Sequence, residues 1–286
     1  MTSELLRKAA EVTVAATASG ALVPLDTSLT HLMGDGGSHF ELRHLLSATP
    51  KHLRASGPKP NPFLPWDQRL EVDRIGESHV VILNKYPVQT THMLLITQDW
   101  QPQTGWLSME DWRSLARVDA MTTGLWFFNS GPDAGASQPH RHLQLLPRAA
   151  GERICARDDW FRRCAQDKTT SAQDPLLCSA RVAPIGSTLT AETLHELYLA
   201  LAADLGLGNT TTDDCPRGAY NLLLSRQWMA MVRRGREGIH GFSVNALGFA
   251  GSLLSTEASD REWIQRSGPE ALLRAVVDAE CCTKTP

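Results

Sequence analysis

The chain has 286 residues, enough for one large core or two small ones, with 42% hydrophobic and 21% charged side chains. A formal net charge of −3 excludes a general pull toward nucleic acid, because a polyanion would then need a local basic patch. The first residues carry an early acid and no apolar core, no later stretch reads as a membrane span, and the six cysteines include no C-x-x-C pair, so a cytoplasmic protein with reduced thiols is expected.

In chain order, residues 3–18 read as a helix, with Ser3 as a cap and Gly20 as a stop. Gly34-Asp-Gly-Gly37 reads as a turn, and the three prolines of Lys59–Trp66 make residues 47–67 a loop. His79–Asn84 and His92–Thr97 are predicted strands that pair antiparallel. Ser108-Met-Glu-Asp111 has the form of a capping box and opens a helix running to about Gly124. Trp126–Asn129 and His140–Leu146 supply two more strands, joined by a glycine loop.

The polar stretch Glu152–Asp174 is expected to be the least ordered. Thr190–Leu205 is an amphipathic helix with Leu194, Leu197, Leu201 and Leu205 on one face and Gly206 as its stop. Strands Tyr220–Leu224 and Trp228–Val232 follow, then an apolar segment Phe242–Leu254 and a last helix capped by Ser267 and Glu270. There is no internal repeat. Strands adjacent in sequence with helices beside them give an α+β fold on a mainly antiparallel sheet.

The segment Gln138–Leu146 carries the chemistry. Side chains two apart share a strand face, so His140, His142 and Gln144 line up, along an edge expected to be exposed. A neutral imidazole is a competent nucleophile near pH 7, with its ordinary pKa of about 6.5. His142 is the candidate nucleophile for phosphorus, anchored by Leu143 and Leu145 on the other face. His140 is assigned to holding the reactive ring in its useful tautomer. Gln144 stabilises charge through its amide and cannot act as an acid.

A structural pair of histidines is the plainer alternative, disfavoured here by the Asn, Gly and Ser just upstream. Asn129, Gly135 and Ser137 form a candidate phosphate cradle that is also ordinary turn chemistry. Asn84 and Lys85 end a strand, where the lysine serves a polyphosphate or simply faces water. Arg233-Arg-Gly-Arg236 reads as a solvated loop within reach of a terminal phosphate. His31, His39, His44 and His52 lack metal spacing, so no protein metal site is assigned. The eight tryptophans read as core or groove lining, with none marked out as a base-stacking platform.

Four segments together resemble the diadenosine tetraphosphate phosphorylase (ATP adenylyltransferase) family, in the transferase branch of the histidine triad superfamily. They are K-P-N-P-F-L-P at 59–65, L-N-K-Y-P-V to H-M-L-L-I-T at 83–97, F-N-S-G-P-D-A-G-A-S-Q-P-H-R-H-L-Q at 128–144, and Y-N-L-L-L-S to N-A-L-G-F-A-G-S-L-L at 220–254. The related small hydrolases carry a third histidine where this chain has Gln144. The resemblance implies one histidine-triad-like domain over 1–286, with a catalytic core at about 59–148 and a C-terminal part at about 176–286 completing the sheet and the nucleotide site. It implies cleavage of diadenosine tetraphosphate by phosphate to ATP and ADP through AMP on His142. It places substrate contacts on Lys59, Asn84, Lys85, Asn129, Gly135, Ala136, Ser137 and Asn221, and a divalent ion, magnesium, carried with the nucleotide.

The implied partners are small molecules: dinucleoside polyphosphate, ATP, ADP and phosphate, without nucleic acid or membrane. Hydrolysis with water as acceptor, and a non-catalytic adenine-nucleotide sensor, are the competing readings.

Overall fold

Strands buried on both faces dictate the architecture. The computed structural model describes residues 4–47, 61–149, 151–166, 175–186 and 189–277. Helix α1 (Glu4–Ala18) precedes strands β1 (Thr27–Met33) and β2 (His39–Leu45), which are joined by a 3-10 turn at Asp35–Gly37. The meander β3 (Glu71–Ile75), β4 (His79–Leu83) and β5 (Met93–Thr97) leads to α2 (Met109–Met121), β6 (Gly124–Asn129) and β7 (His142–Pro147). Then come α3 (Asp158–Gln166), β8 (Ala180–Pro184), α4 (Ala191–Asp204), β9 (Tyr220–Leu224) and β10 (Trp228–Arg233). Short strands β11 (Gly238–Ile239) and β12 (Phe242–Ser243), the one-turn helix α5 (Ala246–Phe249), β13 (Ser252–Ser255), α6 (Arg261–Ser267) and α7 (Pro269–Val276) close the described chain.

Eight strands form one sheet in the order β3-β4-β5-β7-β6-β9-β10-β8, with every neighbouring pair antiparallel. Both halves of the chain contribute strands to it. A second sheet, β1-β2-β13, pairs β13 parallel to β2. Leu143 and Leu145 turn to the face packed with residues of α1, α2 and α4, such as Leu5, Trp112 and Leu201. Leu125, Phe127, Leu146 and Leu223 turn to the other face, against Phe40 of β2, Phe161 of α3 and Leu272 of α7. Strand alternation therefore sends His142 and Gln144 to this second face. Among the described residues no helix is long and apolar enough to cross a membrane.

Several expectations change. The strand bearing His142 is central, between β5 and β6, so the expected exposed edge is a buried row. The helix opened at Ser108 has its capping box, but it ends at Met121 and Gly124 begins β6. A Cβ there would lie 2.2 Å from the Leu146 carbonyl oxygen, so glycine serves close strand approach and does not stop a helix. Within Glu152–Asp174, the described residues include α3, held by Phe161 stacked on Trp228 at 4.1 Å. The last helix is two: Asp260 caps α6, while Gly268 (φ 81°) and Pro269 separate it from α7, so Ser267 ends one helix and caps none. Strands β1, β2 and β3 went unread, although Phe40 and Leu42 alternate with charged residues in β2.

Candidate active site

Register assembles the site before any side chain is considered. One row across the sheet reads Ile82, Leu94, Gln144, Phe127, Leu223; the next reads Val80, Ile96, His142 on one side and Asn129, Asn221 on the other. The β6–β7 ladder closes at Phe127–Gln144 and does not reach His142. Gln103 fills the gap. Its Oε1 accepts from the His142 backbone N–H (2.8 Å), and its Nε2 donates to the carbonyls of Asn129 (2.7 Å) and His142 (3.3 Å). A buried amide thus wedges two strands apart where the glycine loop leaves the sheet, while satisfying the polar groups it exposes.

His142 Nδ1 lies 2.8 Å from the His140 carbonyl, which can only accept, so Nδ1 carries the proton and Nε2 keeps a free lone pair. Burial pulls this imidazole down to about 4, with the neighbouring His140 adding to the pull, so at neutral pH the ring is uncharged. His140 orients the His142 ring through its backbone, and its own imidazole is occupied elsewhere. Asn61 Nδ2 donates to its Nδ1 (2.9 Å), and its Nε2 donates to the Thr97 carbonyl (2.9 Å). Phe63 packs on both rings, at 5.6 Å from His140 and 5.4 Å from His142. Arg141, between them, points through the sheet to Asp111 in the first turn of α2 (2.9 Å), an ion pair that fixes which residues face the site.

Gln144 has a partner that the motif alone did not supply. His92, just before β5, is buried, and its Nδ1 accepts from Asn84 Nδ2 at 3.0 Å, so Nε2 carries the proton. The Asn84 amide is itself set by the Tyr86 N–H donating to its Oδ1 (3.1 Å). Burial takes His92 down to about 4, against a smaller upward pull from the adjacent Gln144 amide. Its Nε2–H makes no bond of normal geometry and lies beside Gln144.

The glycine loop departs from the expected cradle. The N–H groups of Gly135 and Ala136 donate to the carbonyls of Pro132 (2.8 Å) and Gly131 (3.0 Å), so they close the loop and do not point at a ligand. Gly135 sits at φ 81° with no room for a side chain, 2.8 Å separating an added Cβ from the Val244 carbonyl oxygen. Ser137 is exposed. Asn221 is fully buried, and its amide is bonded within the protein. It donates to Asn129 Oδ1 and the Ala134 carbonyl (2.8 Å each) and accepts from Arg234 (2.5 Å). Asn129 Oδ1 also accepts from the Ala246 N–H (2.9 Å), which leaves its NH2 as the group that can serve a ligand.

Arg234, read as part of a solvated loop, is a buried strut bonded to Asn221 and to the carbonyls of Val244, Arg236, Glu237 and Val276. Lys85 is exposed beside the Tyr86 ring (5.7 Å) at the end of β4. Lys59 lies outside the described residues. Sequence reasoning missed Asn61, Phe63, His92, Thr97 and Gln103 as members of the site. Asn61, Phe63, His92 and Thr97 stood inside the family segments, whereas Gln103 carried no signal at all.

The geometry defines a class: an α+β protein whose central strand presents a buried, neutral histidine on the same face as a glutamine amide. Residues 1–155 match the family model described as Ap4A phosphorylase N-terminal domain, and residues 175–278 match the ATP adenylyltransferase C-terminal domain. The chain belongs to the Ap4A phosphorylase family. It is 28% identical to Protein APA1 of Saccharomyces cerevisiae over 63% of this chain and 62% of that protein. It is 26% identical to diadenosine 5',5'''-P1,P4-tetraphosphate phosphorylase 2 of the same yeast, over 72% and 70%. The match to the first of these relatives thus spans somewhat less than two thirds of its length. The fold is also that of the crystal structure of yeast Ap4A phosphorylase Apa2, with a TM-score of 0.72, 23% identity, and coverage of 95% of this chain and 97% of that one.

Proposed function

We propose that the protein cleaves diadenosine tetraphosphate with inorganic phosphate to ATP and ADP, reversibly, through AMP bound to His142. The observation that carries this reading is the His142 imidazole, with its Nδ1 proton tied to the His140 carbonyl and its Nε2 lone pair free and uncharged at neutral pH. Nε2 attacks the α-phosphorus, the bond to the bridging oxygen breaks, and ATP leaves with the electron pair. The Nδ1–H···O=C bond stabilises the positive charge that develops on the ring. A phosphate oxygen then attacks the same phosphorus, the P–N bond breaks, and ADP and the free imidazole are restored. A polyphosphate leaving group is weakly basic and needs no proton donor, which suits an amide at Gln144. The amide stabilises charge on the phosphoryl oxygens, and Asn129 and Ser137 add donors from the loop.

Lys85, and Lys59 from the same family segments, would neutralise the polyphosphate. Magnesium belongs to the substrate in this reading, held by phosphate oxygens. The partners are these nucleotides and phosphate, in the cytoplasm, without nucleic acid or membrane. The test is a product assay with diadenosine tetraphosphate and magnesium, with and without phosphate. ATP plus ADP formed only with phosphate is expected, and His142→Asn should lower turnover at least about a thousandfold. ATP plus AMP formed regardless of phosphate would overturn the phosphorolytic reading in favour of hydrolysis, and nucleotide binding without turnover would favour a sensor.

A further inference from the structure

A tetraphosphate with a nucleoside at each end needs more than a phosphorus site. Its bases require flat apolar faces, and the aromatics nearest His142 and Gln144, Phe63 and Phe127, are buried and already packed against histidine rings. Of the eight tryptophans, Trp100 alone is exposed, at 50%. Leaving so large an aromatic half in water forgoes burial that the other seven obtain.

Its surroundings make it rigid. Trp100 lies in the short excursion after β5, where the chain re-joins the catalytic segment through Arg141 N–H to the Gln101 carbonyl (2.9 Å) and Gln103 N–H to the Pro139 carbonyl (2.8 Å). The indole stands edge-on to the His140 ring, with centroids 5.4 Å apart and planes at 85°. His140 is in turn fixed by Asn61 and Thr97 and shares Phe63 with His142. One aromatic cluster therefore runs from the nucleophile to a half-open indole at the rim of the site.

We propose that Trp100 is the stacking platform for a purine base of the dinucleotide substrate. The inference rests on the phosphorolytic reading for its substrate and adds the place where a base is held. Every base has a π-face, so stacking gives affinity with little base selectivity, and the same surface accepts adenine and guanine dinucleotides. A ring already held by His140 loses little freedom when the base arrives, which favours affinity.

Trp100→Phe and Trp100→Leu separate stacking from plain apolar contact. Trp100→Leu should raise KM for diadenosine tetraphosphate roughly tenfold or more with kcat little changed, while Trp100→Phe should stay within about threefold. A second readout needs no turnover: AMP should quench the tryptophan emission of the natural protein, and Trp100→Phe should abolish most of that quenching while still binding AMP by calorimetry. Unchanged KM in Trp100→Leu, or quenching that survives in Trp100→Phe, would overturn the platform. If the natural protein quenches with AMP yet makes no ATP and ADP, the phosphorolytic reading fails and the base site stands.

Discussion

Acid should destabilise this protein through two buried histidines, His142 and His92, and replacing His142 should remove its share of the effect. His142 and His92 ionise near 6.5 when unfolded, but burial holds each at about 4 in the folded protein. The folded state refuses protons that the unfolded chain accepts. The stabilising neutral burial is therefore complete above pH 6.5 and is lost as the pH falls from 6.5 through 4. A shift of about 2.5 units corresponds to roughly 3 kcal/mol for each ring, and in the window each adds a slope of about 1.4 kcal/mol per pH unit. His142→Asn should cut the slope by about that amount, leaving the His92 share. Urea denaturation of both proteins between pH 5 and 7 measures it. Equal slopes in the two proteins would refute the claim that His142 is buried and neutral. By the same cause, the acid limb of kcat/KM should lie well below pH 6 and not at the usual histidine value.

Two further outcomes test the supports around the nucleophile. Gly135→Ala should cost about 2–5 kcal/mol of stability, from a left-handed backbone and a Cβ pressed on the Val244 carbonyl, and an unfolding midpoint close to the natural protein's would count against that crowding. His92→Leu should lower kcat on the order of tenfold to a hundredfold with KM nearly held, and Gln144→Ala on the order of a hundredfold. If His92 acts by orienting Gln144, the double variant should be little worse than Gln144→Ala alone, whereas additive losses in the cycle would show that His92 works independently.

Local sequence specified most of the elements. The capping residues Ser108 and Thr190, the apolar runs of β4 and β5, and the leucine face of α4 each record their structure within a few residues. Those signals are short-range, since a cap or an alternation is satisfied by neighbours in the chain. Strand β1 escaped notice because it lies on the rim of a small sheet with mostly exposed side chains, so no apolar pattern marks it. The division at Gly268 turned on a φ of 81°, which the Ser267 and Glu270 spacing does not encode.

The same division runs through the site. The alternation of His140, His142 and Gln144, with a small-residue loop before them, is enough to point to histidine chemistry on phosphorus. Tertiary structure decided which atoms are free to perform it. It spent the Asn221 amide on Asn129 and Arg234, brought His92 beside Gln144 across the sheet, and set Gln103 between two strands. It also buried His142, and burial is the main cause that lowers its imidazole. Desolvation and most hydrogen-bond partners come from residues distant in the chain, so a motif can name a candidate nucleophile while only the assembled sheet fixes its charge.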